Sequence, residues 1–170
     1  MICHKRQSIY FFVLAGVFLW WLLLWAPQLL VSLSFLDDLC LKYVYKFFSP
    51  VCHQFDSRSL HIETIKFSVC ARCTGIYNGF LIGLLLLPFL KKYEINRTKL
   101  WLILSVIPII IDVGFSVFTL YESTNLLRIG TGLFFGVVSS FLLYKYLEDA
   151  ILNFLLSLQT SQGKIYGSKT

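Results

Sequence analysis

Long apolar runs at 9–36, 74–90, 100–121 and 129–146 constrain this chain more than any other feature. A helix needs roughly 20 predominantly apolar residues to cross about 30 Å of hydrocarbon, and each run reaches or approaches that length. A mean hydropathy of +0.73 with 57% apolar residues moves the chain out of the soluble globular class. The expected fold is therefore an all-α membrane protein with four transmembrane helices, an extracytoplasmic Cys/His loop at 37–73 and short amphipathic interfacial helices. One domain is expected over 1–159, with a disordered polar tail at 160–170.

The first run exceeds one crossing, and Pro27 is expected to kink or end the helix inside it. Trp20, Trp21 and Trp25 crowd that end, as interfacial anchors do. Lys5 and Arg6 before the run raise a cleaved signal peptide as the competing reading. The length of the run and the lack of a small-residue cleavage site favour an uncleaved span.

Orientation follows from the basic residues. With a cytoplasmic N-terminus, nine of the fifteen Lys and Arg fall inside and six outside, and the 91–99 loop alone holds four. Short loops are the ones the positive-inside rule weighs, so both termini are expected in the cytoplasm and the Cys/His loop outside a multi-pass cytoplasmic (inner) membrane. The same asymmetry accounts for the net charge of +6, and no nucleic-acid partner is needed to explain it.

Within the loop, "FLDDLCLKYVYKFF" reads as an interfacial helix, with Leu39, Tyr43, Val44 and Phe47 at helical spacing, ended by Pro50. Leu147, Ile151, Phe154 and Leu158 share one face of a cytoplasmic surface helix or of an extension of the last span. Gly75, Gly79 and Gly83 stripe the second span, and Gly132, Gly136 and Ser140 stripe the fourth; such stripes predict direct backbone-close packing. Ser105, Pro108, Asp112 and Ser116 stripe the third. A carboxylate is expensive in lipid and must find a partner, for which Arg128 is the expected candidate.

Cys52 and His53, followed by Cys70 and Cys73, form the chemically distinctive constellation. Two cysteines in Cys-x-x-Cys reach one tetrahedral ion from a single turn, and a second knuckle supplies the remaining ligands. The expected metal set is Cys52, His53, Cys70 and Cys73 with zinc; His61 in place of His53, and recruitment of Cys40, stay open. An outside location favours disulfides, of which Cys52 to Cys70 is the structural alternative. Catalytic residues are not evident; the redox candidates are Cys70 and Cys73, at a helix start beside Arg72, in an architecture similar to quinone-coupled disulfide-forming membrane enzymes. Quinone is accordingly the alternative cofactor to zinc. Arg58, Arg72, Tyr77, Asn78, Asp112, Asn125 and Arg128 are expected to converge beneath the loop as a polar or anion-binding pocket.

"CHQ", "CARCTGIYNG", the intramembrane Asp112 and "ESTNLLRIGTGLFFG", in this order, resemble the small prokaryotic membrane proteins grouped as domain of unknown function family two thousand and eighty-five. The resemblance covers roughly 51–136. It implies as family positions Cys52, His53, Gln54, Arg58, Cys70, Arg72, Cys73, Gly75, Tyr77, Gly79, Asp112, Ser123, Asn125, Arg128, Thr131 and Gly132. Val113 departs from the glycine expected after the aspartate. The family name supplies no activity. Three function classes follow: a metal-stabilised binding or accessory protein, a membrane thiol oxidoreductase, and a metal-dependent enzyme on an outer-leaflet lipid or small anion. The expected partners are the bilayer, a lipid or anionic small molecule, and a second copy of the chain.

The charge asymmetry generates a direct test. In a background with Cys3 and Cys40 replaced by serine, a cysteine introduced in the 91–99 loop should resist a membrane-impermeant thiol reagent in intact cells, whereas Ser57→Cys should be labelled. The reverse pattern would invert the topology.

Overall fold

The computed structural model describes residues 2–32, 38–89, 95–118 and 122–167, with side chains placed over 5–31, 39–89, 99–118 and 122–158. Three helical stretches among them are long and apolar enough to cross a membrane: Lys5–Leu24, Lys99–Phe118 and Asn125–Leu158. They belong to helices α1 (Ile2–Leu24), α5 (Ile95–Phe118) and α6 (Asn125–Gly167). A fourth apolar helix, α4 (Ala71–Leu86), has 16 residues, about 24 Å of rise, less than the full hydrocarbon thickness. Of the four expected spans, three thus have spanning length and the second is short.

The first run does not stay one helix. Α1 stops at Leu24, the chain turns at Trp25, and α2 (Ala26–Ser32) starts with Pro27 in its first turn. There the missing N–H of proline leaves no intrahelical bond unmade, so Pro27 opens a helix rather than kinking one. Residues 33–36, the end of the expected run, lie outside the described residues. Helix α3 (Asp38–Phe48) has the expected place and two faces. Leu39, Tyr43 and Phe47 are exposed at i, i+4 and i+8, while Phe48 is fully buried and Val44 packs against the same core.

The all-α expectation fails in the loop. After a 3-10 turn (Asp56–Arg58), β1 (Ser59–Ile62) and β2 (Ile65–Cys70) pair antiparallel, with Ile62 opposite Ile65 and Ser59 opposite Cys70. Glu63 takes a positive φ of 54° to make the two-residue turn. The run Phe67 to Cys70 is buried on both faces, because β2 lies between the loop and the end of α1. Ser68 donates to the Leu24 carbonyl at 3.0 Å, satisfying one of the acceptors left free where α1 ends. The tryptophans complete this seal: Trp25 meets Phe67 edge-on at 4.9 Å, Trp20 meets Phe48 at 5.3 Å, and Trp21 Nε1 donates to Asn78 Oδ1 at 2.8 Å. They fasten the hairpin and α3 to helices α1 and α4.

Α4 and α6 pack along the two predicted small-residue stripes. A Cβ added at Gly75 would collide with the Ile129 carbonyl, at Gly79 with that of Leu133, at Gly132 with that of Arg72, and at Gly136 with that of Ile76. The backbones are therefore in contact, as a lipid-embedded helix pair without hydrophobic drive requires. Α5, with Pro108 in its interior, packs on the other side of α6 and leaves Ile103, Ile110, Phe115 and Val117 exposed. Α6 continues helical to Gly167, through most of the stretch expected as a disordered tail; residues 168–170 lie outside the described ones.

Substituting leucine for Gly79 or Gly136 forces the α4 and α6 backbones apart, so each change should destabilise the folded protein by about 3 kcal/mol or more. Leu85→Ile, on an exposed face, should leave the thermal midpoint in detergent close to that of the wild type. Equal midpoints for all three variants would contradict the contact.

Candidate functional site

The fold brings Cys52, Cys70 and Cys73 together: their sulfurs lie within 4.8 Å of one another. Cys70 ends β2 and takes the N-cap position of α4 in an extended conformation, so Cys73 falls one turn later on the same side. Thr74 Oγ1 donates to the Cys70 carbonyl at 3.1 Å and secures the junction. Cys52 arrives from the other direction, where the chain leaves α3, and its Sγ accepts the Cys70 N–H at 3.2 Å. Gln54 fixes that approach: with φ of 52°, its Nε2 donates to the carbonyls of Tyr45 at 2.9 Å and Ser68 at 2.7 Å, tying α3 to β2. The conformation and the two bonds together explain a glutamine after Cys-His, a role the sequence alone did not disclose.

Cys52 and Cys70 are buried. Hydrogen bonds from the Cys70 and Cys73 thiols pull the Cys52 thiol down to about 2. Cys70 is pushed up, chiefly by its hydrogen bond to Cys52. Cys40, Cys52, Cys70 and Cys73 are free thiols, and Cys40 is exposed outside the cluster.

His53 does not join the cluster, contrary to expectation. Side chains of adjacent residues diverge, and here the His53 ring stacks on Phe55 at 4.5 Å while its Nδ1 accepts the Phe55 N–H at 3.0 Å. Nor does His61, whose Nε2 lies 3.1 Å from Asp56 Oδ1 on the exposed side of the hairpin. What His53 joins instead is a cavity of about 60 Å³ lined by Arg58, Arg72 and Arg128 and touching Cys70.

The expected polar pocket divides in two. Arg58, Arg72 and Arg128 meet at the cavity, with Asp112 directly behind: the expected Asp112–Arg128 pair is not formed, and the Asp112 carboxylate pairs with Arg72 Nη2 instead. Gly132 lets the Arg72 backbone sit against α6, which places that guanidinium ahead of Arg128 in the reach toward α5. Arg128 bonds Asn125 Oδ1 at 3.3 Å, and Asn125 Nδ2 donates to the Ser59 carbonyl at 3.2 Å, linking α6 to the hairpin. Tyr77 and Asn78 point the other way. Tyr77 packs on Trp20, and Asn78 bonds Trp21 and the Thr74 carbonyl, so both serve the contact of α4 with α1. Ser116 of the third predicted stripe lines the cavity, whereas Ser105 is buried and bonds within its own helix.

Residues 52–142 match the family described as "Predicted membrane protein (DUF2085)". An uncharacterized protein of Methanocaldococcus jannaschii is 42% identical over 101 residues, 58% of this chain and 63% of that protein. The chain therefore spans somewhat less than two thirds of that relative. An uncharacterized protein of Methanothermobacter thermautotrophicus is 37% identical over 118 residues, 67% of this chain and 97% of that protein. No solved structure matches.

The buried Asp112 carboxylate, with 2% of its side chain exposed, dictates a further expectation. Asp112→Asn leaves Arg72 without its counter-charge and should cost about 3 kcal/mol in detergent unfolding. Adding Arg72→Gln should recover much of that loss, since two neutral amides replace a broken pair. Strictly additive losses would show that the two residues are not coupled.

Proposed function

The chain belongs to the DUF2085 family of predicted membrane proteins, and we propose that it is a metal-binding membrane protein of binding or accessory type, with zinc held by Cys52, Cys70 and Cys73 at the outer membrane face. The observation that carries this reading is the meeting of three sulfurs from two separate segments. Zinc–sulfur bonds of about 2.3 Å place tetrahedral sulfurs about 3.8 Å apart, a spacing that the cluster accommodates with little movement. A disulfide would use two of the sulfurs and leave the third as a buried thiol beside the bond. A tetrahedral ion takes all three, and metal binding releases the protons that the cluster now shares.

In this reading α4, extended by the residues after Leu86, completes a fourth crossing. Both termini are cytoplasmic, and the hairpin with its cluster forms an extracytoplasmic cap on the helices. Among the described residues no fourth donor belongs to the cluster; three cysteines would leave one position of a tetrahedral ion to water, an exogenous ligand or a further residue of the chain. That is the ligand count of zinc sites with an exchangeable position. The closeness of the three sulfurs also admits a second reading, thiol–disulfide exchange, in which two thiols give up two electrons and two protons to a quinone and form a disulfide.

Protein purified in detergent should carry about one zinc per chain by elemental analysis. Cys52→Ser, Cys70→Ser and Cys73→Ser should each abolish retention, and His53→Ala should retain the metal. Metal-free protein with a reducible bond within the cluster, oxidised in a quinone-dependent manner, would overturn the metal assignment and establish the redox one.

A further inference from the structure

The metal reading leaves Arg128 unexplained. It is 8% exposed. Among the described residues, its side chain bonds the neutral amide oxygen of Asn125. Among the described residues no carboxylate lies within ion-pair distance of Arg128 or Arg58, and Asp112 is engaged by Arg72. Burying a cation is costly unless it is paired and hydrogen-bonded. Three guanidiniums less one carboxylate leave an excess of two positive charges around about 60 Å³ of space. Arg72 Nε is moreover buried without a hydrogen-bond partner. A guanidinium with free donors is built for an oxyanion, and a phosphate monoester, at about −1.5 to −2 near neutral pH, matches the excess charge. The cavity has room for one such group.

Asp112, the partner of Arg72, also borders a groove of about 500 Å³ between α5 and α6. Pro108, Ile111 and Phe115 form one wall and Leu127 and Thr131 the other. The Thr131 hydroxyl is satisfied by the carbonyls of Leu127 and Arg128, and Asp112 pairs with Arg72 through Oδ2, so apart from the unpartnered Asp112 Oδ1 the groove offers hydrocarbon. Ile111, Phe115 and Leu127 are exposed along it. Asp112 borders the groove and holds an arginine of the cavity, making the two compartments neighbours across one ion pair.

We infer that Arg58, Arg72, Arg128 and His53 form a binding site for the phosphate head of an anionic lipid, whose acyl chain lies in the groove between α5 and α6. This goes beyond the metal centre and does not depend on it: charge excess selects the head, and the groove adds the affinity that a free anion lacks. Lateral access from the bilayer supplies the ligand at high local concentration.

Full-length protein, purified with whatever metal it retains, is titrated in zwitterionic detergent with phosphatidic acid, phosphatidylcholine of the same chains, or inorganic phosphate, reading thermal stabilisation and bound lipid by native mass spectrometry. Phosphatidic acid should bind at least roughly tenfold more tightly than either of the others. Arg58→Gln, at an exposed position, and Arg128→Gln should each weaken it roughly tenfold or more. Thr131→Trp, which fills the groove, should reduce phosphatidic acid binding to the level of inorganic phosphate while leaving phosphate binding unchanged. Each variant's unfolding midpoint without ligand separates a binding defect from a folding one. Equal affinity for phosphatidic acid and phosphatidylcholine, or unchanged binding by folded Arg58→Gln, overturns the site. Inorganic phosphate binding as tightly as phosphatidic acid, with Thr131→Trp without effect, overturns the lipid assignment and leaves a soluble anion as the ligand.

Discussion

Backbone contact between α4 and α6 is the constraint on which the rest of the molecule depends. Where Gly75, Gly79, Gly132 and Gly136 meet opposing carbonyls, no side chain intervenes. In lipid, such closeness is what makes helix association favourable, because dispersion contacts and carbonyl packing replace the missing hydrophobic drive. The same closeness sets the site. It brings the N-terminal turn of α4, carrying Arg72 and Cys73, beside the first turn of α6, carrying Arg128. Both guanidiniums then line one cavity, and α5, packed on α6, contributes Asp112 behind them.

The hairpin converts this helix pair into a capped structure. Gln54 and Ser68 fasten the loop to α3 and to the end of α1, and Trp20, Trp21 and Trp25 fill the seam. Cys52 is thereby delivered to Cys70 and Cys73 from a point eighteen residues upstream of Cys70. A metal ion there would bind the cap to the start of α4, so the Arg58 of the cap and the Arg72 of the helix would hold a fixed separation across the cavity. Metal centre and arginine cavity share Cys70 as a wall, so the two candidate sites adjoin.

Charge is distributed unequally between the two ends of the helices. Toward the C-terminal part of α6, Glu148 is buried but answered by Lys145 at 3.8 Å and Arg6 at 3.9 Å. At the hairpin end the basic residues outnumber the acids that reach them, and one buried arginine has no acid at all among the described residues. A structural ion-pair network tends toward neutrality, as at Glu148; a binding site retains the sign opposite to its ligand. That contrast within one chain is the observation on which the proposed anion site rests.

The sequence by itself determined the membrane class, the small-residue stripes and their pairing, the interfacial helix and the three cysteines, because hydrocarbon length, residue size and ligand spacing are local properties of a chain. The hairpin was written in "HIETIKFSVC" only weakly, since the buried β2 strand lacks alternation and the turn relies on a non-glycine residue with positive φ. Tertiary structure alone decided the rest. Whether Asp112 met Arg72 or Arg128 depended on how closely the glycines let α4 approach α6, and that distance is no property of either helix. His53 left the metal set for the same kind of reason: a residue's neighbour in sequence points elsewhere once Phe55 and the cavity claim its ring. Tyr77 and Asn78, adjacent to the pocket in sequence, were turned toward α1 by the rotation of α4 about its axis, which the packing of Gly75 and Gly79 against α6 imposes.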